Sequence, residues 1–394
     1  MPLLRSSSAL VIRCFKSVEN CADWITGAAG PVFVTLAWLL IVAGGIGFFD
    51  VIARQLPIFL SILLSPIFFL VPLNLYGQYY LVTHVPPGFP SSRAMGLSPH
   101  RALSTDTESR WLVPKPSSIF SAERWGLGKR GMPLSGMDGY ADIRAQGKRV
   151  RRCRKCDGPK PERTHHCSVC KRCVLMMDHH CPWINACVGL HNQRHFVLFM
   201  AWLSIACWTV GMLGFKRFWE SFDYHSPWPC YTPRIVFTLV YVLALAIGIA
   251  VPVLMSWHLY MVSNGETSIE SHDNDYLGRK AKAEGLIYLN PYDLGRRRNL
   301  ETFFNIGPNG YPMTTLLFPL LIPPASNGWS FPRRPLPSLS QHRPTVDLHS
   351  PELSAGLMSS SAEHGHASHN AGGYVMGDED GLTDDEEGGG GWMD

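Results

Sequence analysis

Four stretches of the chain run apolar without a single Asp, Glu, Lys or Arg: Pro31 to Phe49, Gln55 to Val82, Phe196 to Phe215 and Ile235 to Val262. As a helix rising 1.5 Å per residue, even the shortest covers about 28 Å, close to the ~30 Å hydrocarbon core of a bilayer. Four such runs predict four membrane-spanning helices rather than the buried helices of a soluble core. Pro57, Pro66 and Pro72 predict a kink in the second, where neighbouring helices can satisfy the freed carbonyls. The first run starts late and lacks a small-residue cleavage site, so a signal peptide is not expected.

Composition agrees. Charged residues make up 17% of the 394, against about 25% in soluble globular proteins. The net charge of +4 fits an anionic membrane surface or phosphate ligands and falls short of a nucleic-acid-binding signature. The distribution of Lys and Arg says more. There are three before the first run, one (Arg54) between the first two, 19 between the second and third, three between the last two and nine after the fourth. By the positive-inside rule this puts both termini and the central segment in the cytosol. A transporter is disfavoured, because the spans hold almost no ionisable residues.

The expected organisation is a cytosolic N-terminus (1–30), helices 1 and 2 (31–82), a mostly irregular connector rich in Ser, Pro, Gly and Arg (83–150), and a Cys/His-dense domain (151–195). Helices 3 and 4 follow (196–262), then a C-terminal packing region (263–325) in which Leu316 to Ile322 lies against the membrane or the helix bundle. A Ser-, His- and Gly-rich, acidic tail (326–394) reads as disordered; its His364, His366 and His369 fit a solvated low-complexity segment better than a metal site.

Seven of the eleven cysteines fall between Cys153 and Cys187. In a cytosolic segment, that density favours metal binding or catalysis over disulfides. Cys153, Cys156, His166 and Cys173 give C-x2-C-x9-H-x6-C. Adding fourteen to each number gives Cys167, Cys170, His180 and Cys187, the same spacing again. Each set offers three thiolates and one imidazole, the donors of a closed tetrahedral structural zinc site. Two zinc ions would supply the stability that so little apolar content cannot.

Six cysteines are thereby used, and Cys181 is left over. Asp178, His179 and Cys181 place a carboxylate, an imidazole and a thiol within four residues. Those are the parts of an activated nucleophile: the base makes the thiolate and the carboxylate holds the base in its useful tautomer. The other reading is a packed free thiol, with Asp178 and His179 as outer support for the zinc ligands.

These residues resemble the DHHC family of protein S-acyltransferases. The resemblance is carried by Cys153-x2-Cys156, Lys160-Pro161-x-Arg163, His166-Cys167-x2-Cys170-x2-Cys173, Asp178-His179-His180-Cys181-Pro182-Trp183, Asn185, Cys187, Gly189 and Asn192. Thr267-Ser268-Ile269-Glu270 resembles the family's Thr-Thr-x-Glu element with Ser in second place. Asn290-Pro291-Tyr292 and Asn299 resemble its C-terminal packing element. Gly265 to Glu270 with the downstream Asn-Pro-Tyr looks most like the sixteenth member of the animal set. Ala186 departs from the Asn found in many relatives.

The resemblance implies an α-helical membrane protein with four transmembrane helices and a cytosolic two-zinc domain between helices 2 and 3. It also implies an activity: transfer of a palmitoyl group from acyl-CoA through a Cys181 thioester to membrane-proximal cysteines of cytosol-facing proteins. His179 would be the base and Asp178 its support, and Thr267 and Glu270 would tie helix 4 to the catalytic domain. The CoA phosphates would then lie near Arg151, Arg152, Arg154, Lys155 or Arg296 to Arg298; for any single one of these, facing anionic lipid is the equal alternative. Endoplasmic reticulum or Golgi membranes are the expected location, although span length sorts membranes only loosely. Cys14 and Cys21 sit where acylation is conceivable, though inert thiols are commoner; Cys207 and Cys230 point to no role. Two rivals are set aside on spacing: a RING-type ligase leaves no Asp-His-Cys set unexplained, and a nucleic-acid zinc knuckle needs much shorter ligand spacing.

Overall fold

The computed structural model describes residues 2–90, 118–128, 150–334 and 374–376. Expectations for most of the 83–150 connector and for most of the tail beyond 334 lie outside these residues. Among the described residues, four helices are long and apolar enough to cross a membrane, each extending past its uncharged run. α1 (Pro2–Gly47) continues through a π-turn at Phe48–Ile52 and a short 3-10 turn at Ala53–Gln55. α2 is Ile58–His84, α3 Gln193–Glu220 and α4 Arg234–Ser263. α2 and α4 are entered through Pro57 and Pro233, both extended at ψ 141. Proline suits this place, since its missing N–H would be unpaired at a helix start anyway.

Polar groups tie the helix-connecting turns together. Asp50 Oδ2 accepts the Thr232 N–H at 2.7 Å and Asp50 pairs with Arg54 at 3.2 Å. Arg217 donates to Gln55 Oε1 at 2.9 Å. Beside them Phe48, Val51, Ile52, Phe237 and Tyr241 form one apolar core.

Among the described residues between α2 and α3 the chain makes three small antiparallel hairpins. β1 (Arg151–Arg152) pairs with β2 (Pro159–Lys160), β3 (His165–Cys167) with β4 (Arg172–Val174), and β5 (His179–Cys181) with β6 (Ala186–Val188). Their registers are one register moved by fourteen residues: Arg152↔Pro159, His166↔Cys173, His180↔Cys187. The turns repeat as well, with Asp157, Lys171 and Asn185 left-handed at φ 50, 56 and 50. A fourteen-residue repeat that the ligands display twice is thus built three times in the backbone.

After α4 come α5 (Ser268–Ala283), β7 (Ile287–Leu289) and α6 (Arg296–Phe304). The segment 316–322 packs on the helices: Asn74 and Gln78 of α2 donate to the carbonyls of Leu317 (2.8 Å) and Phe318 (3.4 Å). Residues 118–128 of the connector join it, through a bridge between Ser121 and Leu321 and a core of Ala122, Tyr311, Leu320 and Ile322. A second compact unit comprises Glu270–Leu294 and Pro332–Asp394. Within it β7 pairs in parallel with β8 (Tyr374–Met376), and Arg333 lies over the Tyr292 ring.

Candidate active site

The hairpins interlock through their ligand sets. In each, the first strand leads into a turn bearing Cys-x2-Cys, and the next hairpin contributes a histidine and a cysteine paired across its strands. In the first set, Cys153, Cys156 and Cys173 sulfurs lie 3.7, 3.1 and 4.0 Å from His166 Nδ1. In the second, Cys167, Cys170 and Cys187 lie 3.8, 3.3 and 3.7 Å from His180 Nδ1. All four donors of each set lie within 4.8 Å of one another, so both clusters can hold a metal ion. A tetrahedron with bonds of ~2.0 to 2.3 Å has edges of about 3.5–3.8 Å, so the donor set and its dimensions fit.

The third hairpin carries the remaining candidates. Asp178 precedes β5 and its N–H bonds the Val188 carbonyl at 2.9 Å. Its side chain is buried at 5% exposure, where a carboxylate must be paired. Oδ2 accepts His179 Nδ1 at 2.6 Å, and Oδ1 accepts the Ser268 N–H at 2.6 Å. The Ser268 hydroxyl donates to the Asp178 carbonyl at 2.7 Å, and His258 Nδ1 faces Oδ2 at 3.6 Å. Burial pushes the carboxyl up, but these hydrogen bonds and charges outweigh it and hold it below its ordinary value. Burial likewise acts to lower His179, while the bond to Asp178 and the contact with Cys181 raise it to about 9. A more basic imidazole is better able to take and keep the Cys181 proton.

Cys181 ends β5 and is buried among Tyr79, Val82, Ile184 and Val188, with Trp38 and Phe199 packed against the same cluster. Tyr79 of α2 donates to the Trp183 carbonyl at 2.9 Å, which ties the turn after Cys181 to the helices. Trp183 is half exposed and meets Phe33 edge-on. α1 comes close here because Gly30 has no side chain; a Cβ there would overlap Asn185 Oδ1 outright. Asn192, the N-cap of α3, accepts from Gly189 N and donates to the Cys187 carbonyl, both at 2.9 Å. Arg163 reaches the Gly265 carbonyl at 3.0 Å.

Residues 146–275 match the family model described as DHHC palmitoyltransferase. The chain carries a DHHC domain. Palmitoyltransferase ZDHHC16 of Mus musculus is 38% identical over 204 residues, 49% of this chain and 56% of that protein. Its Homo sapiens counterpart is 36% identical over 220 residues, covering 49% and 58%. Probable protein S-acyltransferase 16 of Arabidopsis thaliana is 38% identical over 169 residues, covering 43% and 58%. The chain therefore spans under three-fifths of the length of these curated relatives.

The structure brings Asp178, His179 and Cys181 together on one hairpin of the DHHC domain and gathers all eight cysteine and histidine ligand candidates into two clusters. Two contacts of Asp178 escaped the sequence reading. The contact from the Thr-Ser-Ile-Glu element comes from Ser268, through its hydroxyl and its backbone N–H. His258 carried a signal: it is the only histidine in the four uncharged runs, and an ionisable residue inside a span is a functional candidate by default. Of the basic residues expected near a phosphate ligand, Arg152 pairs with Asp157 at 2.8 Å and Arg297 with Glu301 at 2.8 Å, while Arg154 and Lys155 are exposed.

Proposed function

We propose that this chain is a multi-pass membrane protein S-acyltransferase that moves a long-chain acyl group from acyl-CoA to protein cysteines through a thioester on Cys181. The observation that carries the reading is the Asp178–His179 pair at the start of the strand that ends in Cys181, with the sulfur set among apolar and aromatic side chains. The names of the relatives agree with it.

In the first step His179 takes the Cys181 proton and Asp178 stabilises the imidazolium. The thiolate attacks the acyl carbonyl, the new S–C bond forms, and CoA leaves with the proton returned by His179. In the second step His179 takes the proton of a substrate cysteine, whose thiolate attacks the Cys181 thioester; the bond from the acyl carbon to Cys181 breaks, and His179 returns the proton to the Cys181 sulfur. One thioester replaces another each time, so the enzyme contributes positioning and thiol activation. The two clusters suit zinc, whose role here would be to fix the hairpins and so the geometry of β5. An acyl chain extending from Cys181 among Tyr79, Trp38 and Phe199 is favoured by ~0.8 kcal/mol per buried methylene. The CoA phosphates would face the basic residues of the cytosolic side, Arg154 and Lys155 among them.

In this reading α1 to α4 span the membrane with both termini cytosolic, and 151–195 is the catalytic domain between α2 and α3. Thr267 and Glu270 keep a structural part, and endoplasmic reticulum or Golgi is the expected membrane. The test is hydroxylamine-sensitive incorporation of an alkyne-palmitoyl label from acyl-CoA into purified full-length protein. Label on the wild type that is lost in Cys181→Ser and sharply reduced in His179→Ala supports the acyl-enzyme. Label that persists in zinc-replete Cys181→Ser puts the acyl group elsewhere and sinks the proposal.

A further inference from the structure

We propose that His258 of α4 is a positioning residue: it holds the Asp178 carboxylate, and through it the His179 ring, in line with Cys181. The inference rests on the acyltransferase reading for its purpose, but on geometry for its content. Both histidines address one oxygen, Asp178 Oδ2, with His179 Nδ1 at 2.6 Å and His258 Nδ1 at 3.6 Å. The other oxygen is taken by the Ser268 N–H at 2.6 Å. His258 is 7% exposed, and among the described residues its Nε2 has no hydrogen-bond partner.

A buried imidazole with one silent nitrogen keeps its proton where an acceptor waits, so the proton of neutral His258 sits on Nδ1 toward the carboxylate. The ring cannot drift from that task. Phe196 stands edge-on to it at 5.9 Å and Phe303 at 6.1 Å. Phe196 also stands edge-on to His179 at 5.4 Å, so one ring braces both histidines. The carboxylate is thus fixed from β5, from the start of α5 and from α4. With the α4 contact missing, it would be free to turn about the Ser268 bond and carry His179 with it.

The test uses the full-length, zinc-loaded chain in detergent and two substitutions of similar size. His258→Asn keeps an amide donor near the place of Nδ1, and His258→Leu keeps none. Two rates are read, alkylation of Cys181 by N-ethylmaleimide located by mass spectrometry, and acyl-enzyme formation across palmitoyl-CoA concentrations. His258→Leu should slow both by about tenfold, as loss of a buried imidazole 3.6 Å from a carboxylate implies, with the half-saturating palmitoyl-CoA concentration unchanged. His258→Asn should recover most of that loss. Equal rates for His258→Leu and wild type, or an Asn variant no better than Leu with zinc retained by both, overturn the proposal. His258→Phe, which keeps the ring packing, serves in place of Leu should Leu lose its metal. Slowed alkylation in His258→Leu in a chain whose wild type never takes an acyl group leaves the positioning role standing and removes the acyltransferase reading instead.

Discussion

Ser268 offers the most graded test of how Asp178 is held. It meets Asp178 twice, by its N–H to Oδ1 at 2.6 Å and by its hydroxyl to the carbonyl at 2.7 Å. Ser268→Ala removes the neutral bond alone, a loss of about 1–1.5 kcal/mol, or roughly five- to tenfold in rate if all of it appears in the transition state. Ser268→Thr keeps both bonds and should react at nearly the wild-type rate. Ser268→Pro removes both. Since Ser268 is the first residue of α5, proline is tolerated there, and the added loss of a bond to a charged acceptor is about 1.5–3 kcal/mol. The expected order of single-turnover acylation rates is therefore Thr near wild type, Ala about tenfold down, and Pro on the order of a hundredfold down or more. Zinc content checks that each variant is folded. An Ala variant as slow as Asp178→Ala, or a Pro variant as fast as Ala, would refute the assignment of separate roles to the two bonds.

Three further outcomes are expected. A strong chelator should unfold the hairpin region and abolish acylation together, visible as loss of near-ultraviolet circular dichroism; activity that survives complete metal removal contradicts a structural role for the clusters. Gly30→Ala forces a methyl group into Asn185, so overpacking of about 1–3 kcal/mol should lower the thermal midpoint and slow acylation; an unchanged midpoint means that α1 does not bear on this turn. Tyr79→Phe deletes the 2.9 Å bond to the Trp183 carbonyl and should cost about 1 kcal/mol of stability while sparing metal content; a variant with the wild-type thermal midpoint shows that the bond does not hold the turn.

How legible this was depended on where each constraint is written. The four apolar runs announce their helices because every residue in them obeys the same exclusion of charge. The candidate ligands announce themselves because a tetrahedral metal site needs particular side chains at particular spacings. The first hairpin does not, since Arg152 and Pro159 stand where the later copies have histidine and cysteine. Its likeness is in register and in the left-handed Asp157, Lys171 and Asn185, a backbone property that three different side chains accommodate. Ser268 was hidden for a similar reason: a backbone N–H is present at every residue, and only the fold says which one meets a carboxylate. The continuation of α1 back to Pro2 was hidden because the residues before Pro31 include charges that exclude them from an apolar run.

The threefold backbone repeat also accounts for a free thiol at Cys181. Cys153, Cys167 and Cys181 occupy equivalent positions fourteen residues apart, Cys153 directly after the first strand of its hairpin and Cys167 and Cys181 as the last residue of theirs. The first two are followed three residues later by Cys156 and Cys170, and each turn is completed by the next hairpin. Cys181 is followed by Ile184, and the chain passes into α3 at Gln193. The sulfur therefore stands in a ligand position of a site that is never finished. That reasoning makes a sharp prediction for Ile184→Cys, which restores a Cys-x2-Cys pair at Cys181. Ile184 is 2% exposed, so the smaller side chain should cost on the order of 1–3 kcal/mol, within what a folded domain tolerates. Added zinc should then inhibit acylation of the variant at about tenfold lower concentration than it inhibits the wild type, because a second thiolate joins the first. A mild chelator should restore the rate without stripping the two complete sites. Equal zinc sensitivity of variant and wild type would mean that the turn at Cys181 no longer has the geometry of its two predecessors.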